Sequence, residues 1–444
     1  MIAMVAADPQ EGPVAIATIF VMSAVFIYLF RRFTDEKEFV TYIYLAALAA
    51  RMVFGIIIHT YELRDFVGPD SMAYGIIGSK IVDFWLGLGD PTDPEVTRAL
   101  SLRGPGWGMN YFVGFIYLVA GKSIFAAQSL CATIGAATVP MVYYCSNEIF
   151  HNRRSAKFAA FGVAFFPAFI IWSSQLLKDG LIVFLLVLAM TIVLQIQKQF
   201  SITGVILLIL SLSGIMSLRF YIFYMVATAV IGSFIVGLKT STKAIIQRTL
   251  ILLVIGLAMT YLGVIRIASI DFETYGSLER IQVSRADMAT SGESGYGANE
   301  NVSTVGGALA ALPTGFSIIM FAPFPWELKN FRQSLTLPEI ILWWSMIPLL
   351  IYGLWFAIRQ RLRASFPVLI FTLMLTISYS IFQGNLGAAY RQRTQIQVFL
   401  FIFIAVAIGL ILEKIEDKRT LEIDRQKTIA RKLRARFHEQ QKAI

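Results

Sequence analysis

Apolar residues run in unbroken stretches long enough to cross a hydrocarbon core of about 30 Å, and these stretches recur from residue 13 to residue 412. Polar residues gather in the links between them. Lipid offers backbone groups no hydrogen-bond partner, and barrel strands would be about ten residues long with alternating polarity, so the pattern predicts helices. The stretches fall near 13–30, 39–58, 123–146, 157–174, 180–197, 202–218, 220–238, 249–268, 338–358, 366–383 and 396–412. They predict an all-α polytopic membrane protein with about eleven transmembrane helices. Two long loops interrupt them, 59–122 and 269–336. The second loop starts polar and rich in Gly and Ser, then turns apolar from Leu309 to Trp326, where Pro313, Pro323 and Pro325 argue against a straight span. No repeat of fixed period appears, so residues 1–412 are expected to form one membrane domain, followed by a basic tail, 413–444.

Composition agrees: 57% of the 444 residues are hydrophobic and 15% charged, which excludes a soluble domain. The net charge of +10 could suggest nucleic acid, but much of it sits in short links and in the tail. Arg31-Arg32 with Lys37, Arg153-Arg154 with Lys157, Lys198, Lys239 with Lys243 and Arg248, and Arg359 with Arg361 and Arg363 all fall on one predicted side. The positive-inside bias makes that side cytoplasmic, which accounts for the charge without a nucleic-acid partner. The expected setting is the cell's inner membrane, with the N-terminus outside and the tail inside. Residues 1–30 read as a retained span, because no basic residue precedes their apolar run. Leu421, Ile423 and Ile429 recur at helical intervals, so the tail is expected to be a helix, solvated or skimming the membrane. Cys131 and Cys145 would lie about 21 Å apart on one helix, too far for a disulfide.

This topology concentrates unusual polar residues on the outer side. Asp65 and Asp70 lie in the run Arg64-Asp65-Phe66-Val67-Gly68-Pro69-Asp70-Ser71-Met72-Ala73-Tyr74, where Asp70 could cap a helix or serve as a base. Lys178-Asp179 begins a span as an interfacial anchor or as a site in which Lys178 contacts a phosphate and Asp179 a sugar hydroxyl or a metal. Arg219 stands between two spans beside Phe220 and Tyr221. The stretch from Gly384-Asn385 to Arg391-Gln392-Arg393 places two arginines at an outside turn, against the positive-inside bias. Guanidinium groups clamp phosphate with paired hydrogen bonds, and headgroup binding is the alternative. His59, His151 and His438 are far apart and suggest no histidine metal site, and no phosphate-cradling Gly-rich loop is present.

The succession of these features from residue 39 to 412 resembles the GT-C fold, polytopic glycosyltransferases that take sugar from a polyprenyl-phosphate carrier on the extracytoplasmic face. The chain looks like their bacterial dolichyl-phosphate-mannose-protein mannosyltransferase-like group. Asp70-Ser71-Met72-Ala73-Tyr74 resembles the family's acidic motif, with Ser71 where a second acid is often found. Gly104-Pro105-Gly106-Trp107 with Tyr111–Gly121 resembles its membrane-parallel loop helix, and Phe166-Pro167 leads on to Trp172-Ser173-Ser174. Phe321-Ala322-Pro323-Phe324-Pro325-Trp326 resembles a subset tied to polysaccharide synthesis.

The resemblance implies an inverting transfer to a lipid-linked or cell-envelope glycan acceptor, with Asp70 or Asp65 as base. Tyr74, Lys178, Asp179, Arg219, Asn385, Arg391 and Arg393 would bind substrate. No cofactor is implied with certainty, and room is left for a divalent cation between carboxylates and phosphate. An O-antigen or exopolysaccharide polymerase reads the same charges as handling lipid diphosphates, and a transporter or flippase reads them as a substrate path. The transfer reading requires Asp70, Asp179 and Arg391 to converge; a transporter should place ionisable groups or broken spans near the midplane.

Overall fold

The computed structural model describes residues 1–102, 106–237, 241–290, 294–328 and 331–442, with side chains 423–425 and 428–442 left undescribed. Gly104-Pro105 of the loop motif, Lys239 of one basic link and the side chains of Ile423 and Ile429 therefore lie outside the described residues.

Among the described residues, eight helices are long and apolar enough to cross a membrane: Gly12–Arg32, Lys37–Thr60, Ile124–Phe150, Lys178–Lys198, Thr242–Tyr261, Leu337–Gln360, Leu362–Phe382 and the segment Leu386–Glu422 of the last helix. Arg153–Phe165 and Pro167–Ser173 make a ninth span bent by 55°, because Pro167 carries no N–H to continue the ladder. The shorter apolar helices Ile202–Leu218 and Phe220–Val236 complete the predicted set of about eleven. Short polar side chains start many of these helices: Ser123, Asn152, Ser201 and Ser241 each accept a bond from a first-turn backbone N–H. The chain is an all-α, multi-pass membrane protein.

Ile124–Phe150 and Lys178–Lys198 form the centre, and the first is buried on nearly every side. Its Ala126, Ala127, Ala132, Gly135, Ala136 and Ala137 are small enough for neighbouring backbones to approach closely. At one end the basic links contact one another. Arg153 lies 3.1 Å from Asp35, Lys157 lies 2.9 Å from Glu36, and Arg154 lies 2.7 Å from Glu416 on the last helix. At the other end sit the loop helices Arg64–Val67, Asp70–Trp85, Pro94–Leu100 and Trp107–Ala120.

Three expectations shift. The span predicted at 249–268 is the helix Thr242–Tyr261, and Gly263, at φ +72°, turns the chain into a separate helix, Val264–Tyr275. Hydropathy continues across that turn, which hid it. The segment around Pro313 is one continuous helix, Val305–Phe321. Two residues on, Gly315 lets this helix approach the backbone of Ser380 closely. Finally, the predicted turn from Gln383 to Arg393 is mostly helical, since the last helix begins at Leu386 and runs unbroken to Lys442.

Candidate functional site

The start of the helix Lys178–Lys198, the junction between Ile202–Leu218 and Phe220–Val236, the first turns of the last helix and the start of Asp70–Trp85 meet at the loop end of the bundle. Each brings a charged side chain, and the first brings two, Lys178 and Asp179. Asp179, 1% exposed, accepts from Arg219 Nη2 at 3.0 Å through one oxygen, and its other oxygen lies 3.4 Å from Arg391 Nε. Arg391 in turn donates from Nη1 to Asp70 Oδ2 at 2.9 Å. Asp70, Asp179 and Arg391 thus converge. The side chain of Asp70 is 46% exposed and that of Arg391 18%, so Asp70 stands at the mouth of the cluster and Asp179 on its floor.

Two tyrosines and a lysine complete it. Tyr379, fully buried, lies 3.4 Å from Arg219 Nη1 and donates to Gln395 Oε1 at 2.6 Å, which fixes the back of the guanidinium. Tyr74 lies one turn after Asp70, within electrostatic range of Asp70, Asp179, Arg219 and Arg391, and burial pushes its hydroxyl above the ordinary tyrosine range. It therefore acts as a hydrogen-bonding hydroxyl and not as a base. Lys178 feels the same four charged groups, and among the described residues no ion pair or hydrogen bond engages its ammonium. Gly106, at φ +85°, seats the loop helix Trp107–Ala120 against it; a Cβ there would come within 2.8 Å of Lys178 Nζ. Three cations against two carboxylates leave a positive excess, with one ammonium unopposed. That balance suits an anion such as phosphate.

The other candidates stand apart. Asp70 makes no cap bond to its helix, so capping does not account for it. Asp65, on the short helix Arg64–Val67, is exposed and is not part of the cluster. A turn would give Arg391 and Arg393 one environment, but both lie on the last helix, where two residues make about 200° of rotation, and the two side chains leave on opposite sides. Arg393 is 1% exposed and donates to the carbonyls of Met320 at 3.1 Å and Ala322 at 2.8 Å, closing the end of the helix Val305–Phe321. Asn385 caps the last helix, its Oδ1 accepting from Gly387 N at 2.9 Å and Ala388 N at 3.1 Å, and from Ser294 Oγ at 3.0 Å. Arg393→Ala is therefore expected to act on stability. It removes two charge-assisted bonds of about 1.5–3 kcal/mol each, and thermal unfolding in detergent should show a lowered Tm.

Sequence reasoning missed Arg51, which is 1% exposed in the middle of Lys37–Thr60. Its guanidinium donates to Ser173 Oγ at 2.8 Å and to the carbonyls of Ala47 at 3.0 Å, Ala164 at 3.3 Å and Val163 at 3.4 Å. The last two are carbonyls at the Pro167 break, so Arg51 ties the bent span together. A charged residue inside a span was the available signal. Glu339 is a second case, buried and accepting from Tyr390 Oη at 2.6 Å, next in the chain to Arg391.

Among the described residues no three His, Cys, Asp or Glu side chains group as metal ligands. Asp70 and Asp179 each face a guanidinium within a cationic surround, a donor set that does not fit a divalent ion.

Residues 90–275 match the family model of the dolichyl-phosphate-mannose-protein mannosyltransferases. Lys178, Asp179 and Arg219 fall inside the match, Asp70 and Arg391 outside it. No curated protein matches the chain. Among solved structures, the apo crystal structure of the Archaeoglobus fulgidus oligosaccharyltransferase is similar over 85% of this chain and 52% of its own, at 14% identity and a TM-score of 0.48. The chain thus spans about half the length of that protein. The family match covers about two fifths of the chain and falls on a bundle of membrane spans, so this part of a multi-pass membrane protein is similar to the dolichyl-phosphate-mannose-protein mannosyltransferases.

Proposed function

We propose that this protein moves a sugar from a polyprenyl-phosphate carrier to a lipid-linked or cell-envelope glycan at the extracytoplasmic face of the inner membrane. The observation that carries the reading is the Asp70–Arg391–Asp179–Arg219 chain with the unopposed ammonium of Lys178 beside it. The donor phosphate enters between Lys178 and Arg391. Arg391 turns toward it and releases Asp70. The acceptor hydroxyl then attacks the anomeric carbon from the face opposite the phosphate, giving inversion. Its proton passes to the Asp70 carboxylate as the new C–O bond forms. The bond from the sugar to the phosphate oxygen breaks, and both electrons leave with the lipid phosphate.

Negative charge grows on that phosphate while the sugar becomes oxocarbenium-like, so cations fixed beforehand lower the barrier. Asp179 is too buried to reach an acceptor at the mouth, and in this reading it orients the two arginines and, through them, the donor. Arg219 holds the floor of the site, and Tyr74 offers a hydroxyl to the sugar. Arg393 and Asn385 support the site from behind.

A transporter reading draws on the bent span and on Arg51 within it. Arg51 is bonded to Ser173 and three carbonyls, which suits a structural tie better than a substrate path. The test is sugar transfer in membranes from a deletion host, supplied with labelled polyprenyl-phosphate hexoses and pentoses. Transfer from one donor, dependent on this chain, is expected; none from any donor would sink the reading. In the same assay Asp65→Asn is expected to keep wild-type rates, since its exposed carboxylate stands outside the cluster. A loss would move the base to Asp65.

A further inference from the structure

The helix Asp70–Trp85 has two working faces. Asp70 and Tyr74, one turn apart, look into the charged cluster. Met72, Gly75, Ile76, Ser79 and Lys80 recur at the spacing of a single face, about 200° around from Asp70 and Tyr74. That second face lines a broadly open cavity of about 450 Å³, walled on the other side by Tyr117, Lys122, Ile124 and Glu11. The volume lies in the range of small-molecule sites. Gly75 lets the walls meet, since a Cβ there would lie 3.2 Å from Ile124 and 3.3 Å from the Tyr117 hydroxyl.

The lining says what this cavity takes. Tyr117 is only 6% exposed, and among the described residues its hydroxyl has no hydrogen-bond partner. The hydroxyl lines the cavity and is free to bond a ligand or water there. Glu11 is held in place through one oxygen, which accepts from Ser123 Oγ at 2.9 Å and Phe125 N at 2.8 Å. Its carboxylate remains available on the cavity side. Both ammonium groups at the rim are already opposed, Lys80 by Asp93 at 2.8 Å and Glu95 at 2.7 Å, and Lys122 by Asp83 at 2.6 Å. Counting the rim partners, four carboxylates (Glu11, Asp83, Asp93 and Glu95) face Lys80, Lys122 and the nearby Arg64, so phosphate and acidic sugars are disfavoured. Hydroxyl and carboxylate partners beside the C–H surfaces of Met72, Ile76 and Ile124 fit an uncharged, polyhydroxylated ring.

We infer that this cavity is a glycan subsite, binding an uncharged sugar unit of the acceptor some distance from its reacting end. The inference rests on the proposal that Asp70 meets the acceptor hydroxyl. Ile76 lies six residues along the same helix from Asp70, about 9 Å at 1.5 Å per residue. An extended glycan passing the start of this helix therefore reaches both faces, and the subsite would favour acceptors that already carry sugar.

The test is binding, read without transfer. Full-length protein in nanodiscs is examined by saturation-transfer NMR with glucose, mannose, galactose, N-acetylglucosamine and their uncharged disaccharides, with glucuronate and inorganic phosphate as competitors. At least one uncharged sugar is expected to bind. Ile76→Trp, at a position 53% exposed and so tolerant of bulk, should weaken it at least about tenfold by filling the cavity. Tyr117→Phe should weaken it a few-fold, and Met72→Trp serves if the first variant does not fold. Asp70→Asn should leave binding unchanged. No binding by any uncharged sugar, displacement by phosphate or glucuronate, or loss in Asp70→Asn with retention in Ile76→Trp would each overturn the subsite. Failure of sugar transfer with binding intact would instead strike the proposed reaction.

Discussion

Replacing Asp70 with asparagine is expected to lower the turnover of sugar transfer by about 10²–10⁴-fold, the usual contribution of a placed general base, with the donor KM little changed. Asparagine keeps the size of the side chain and can still contact Arg391, so the fold should survive. The carboxylate at the mouth, 46% exposed, is the acid of the cluster an acceptor can reach; the one on the floor, 1% exposed, is closed off by arginines. Matched expression and an unchanged Tm would assign the loss to chemistry. Full activity in Asp70→Asn would remove it from the base role.

The second large effect concerns the floor. Arg219→Met strips Asp179 of its 3.0 Å partner inside the bundle, and breaking a buried pair from one side costs about 3–5 kcal/mol. A sharply lower Tm in detergent is expected, together with lost transfer. Adding Asp179→Leu removes a buried carboxylate left with Arg391 alone at 3.4 Å and is expected to restore most of the Tm, because well-packed apolar residues replace a buried pair at little cost. Transfer should stay absent, since Arg391 would then lack the carboxylate that orients it. Recovery of transfer in the double variant would show that the pair serves stability alone.

The spans were legible because apolar length is a one-dimensional property, and the predicted stretches fall on helices, the fourth on a bent pair and 249–268 on two helices divided at Gly263. What hydropathy could not report is where an apolar stretch breaks or continues. Gly263 turns the chain inside such a stretch, and Pro313 sits within an unbroken helix. The charged cluster was legible in part because ionisable residues at the loop ends of spans are few, and Asp70, Asp179, Arg219 and Arg391 do converge. Arg393 shows where the signal fails. Reading Gly384–Arg393 as a turn gave both arginines one environment, whereas the helix that begins at Leu386 sends them to opposite sides. Arg51 lies mid-span, away from the span ends where the other charges gather, and two of its partners are backbone carbonyls made available by a bend that only the packed structure displays. The cavity on the far face of Asp70–Trp85 was beyond reach for the same reason, since Glu11 and Lys122 meet it from distant parts of the chain.

The most direct measurement of the central claim uses purified protein in proteoliposomes with a labelled polyprenyl-phosphate sugar and a glycan-bearing lipid acceptor. Transferred sugar and freed polyprenyl phosphate are followed together in the wild type, Asp70→Asn and Arg391→Lys. Equal release of both products by the wild type is expected, with Asp70→Asn nearly inactive. Arg391→Lys should be impaired, because a point charge does not replace the fork that bridges phosphate and Asp179. Folded wild-type protein that releases neither product from any donor, yet carries the lipid-linked glycan across the bilayer, would contradict it.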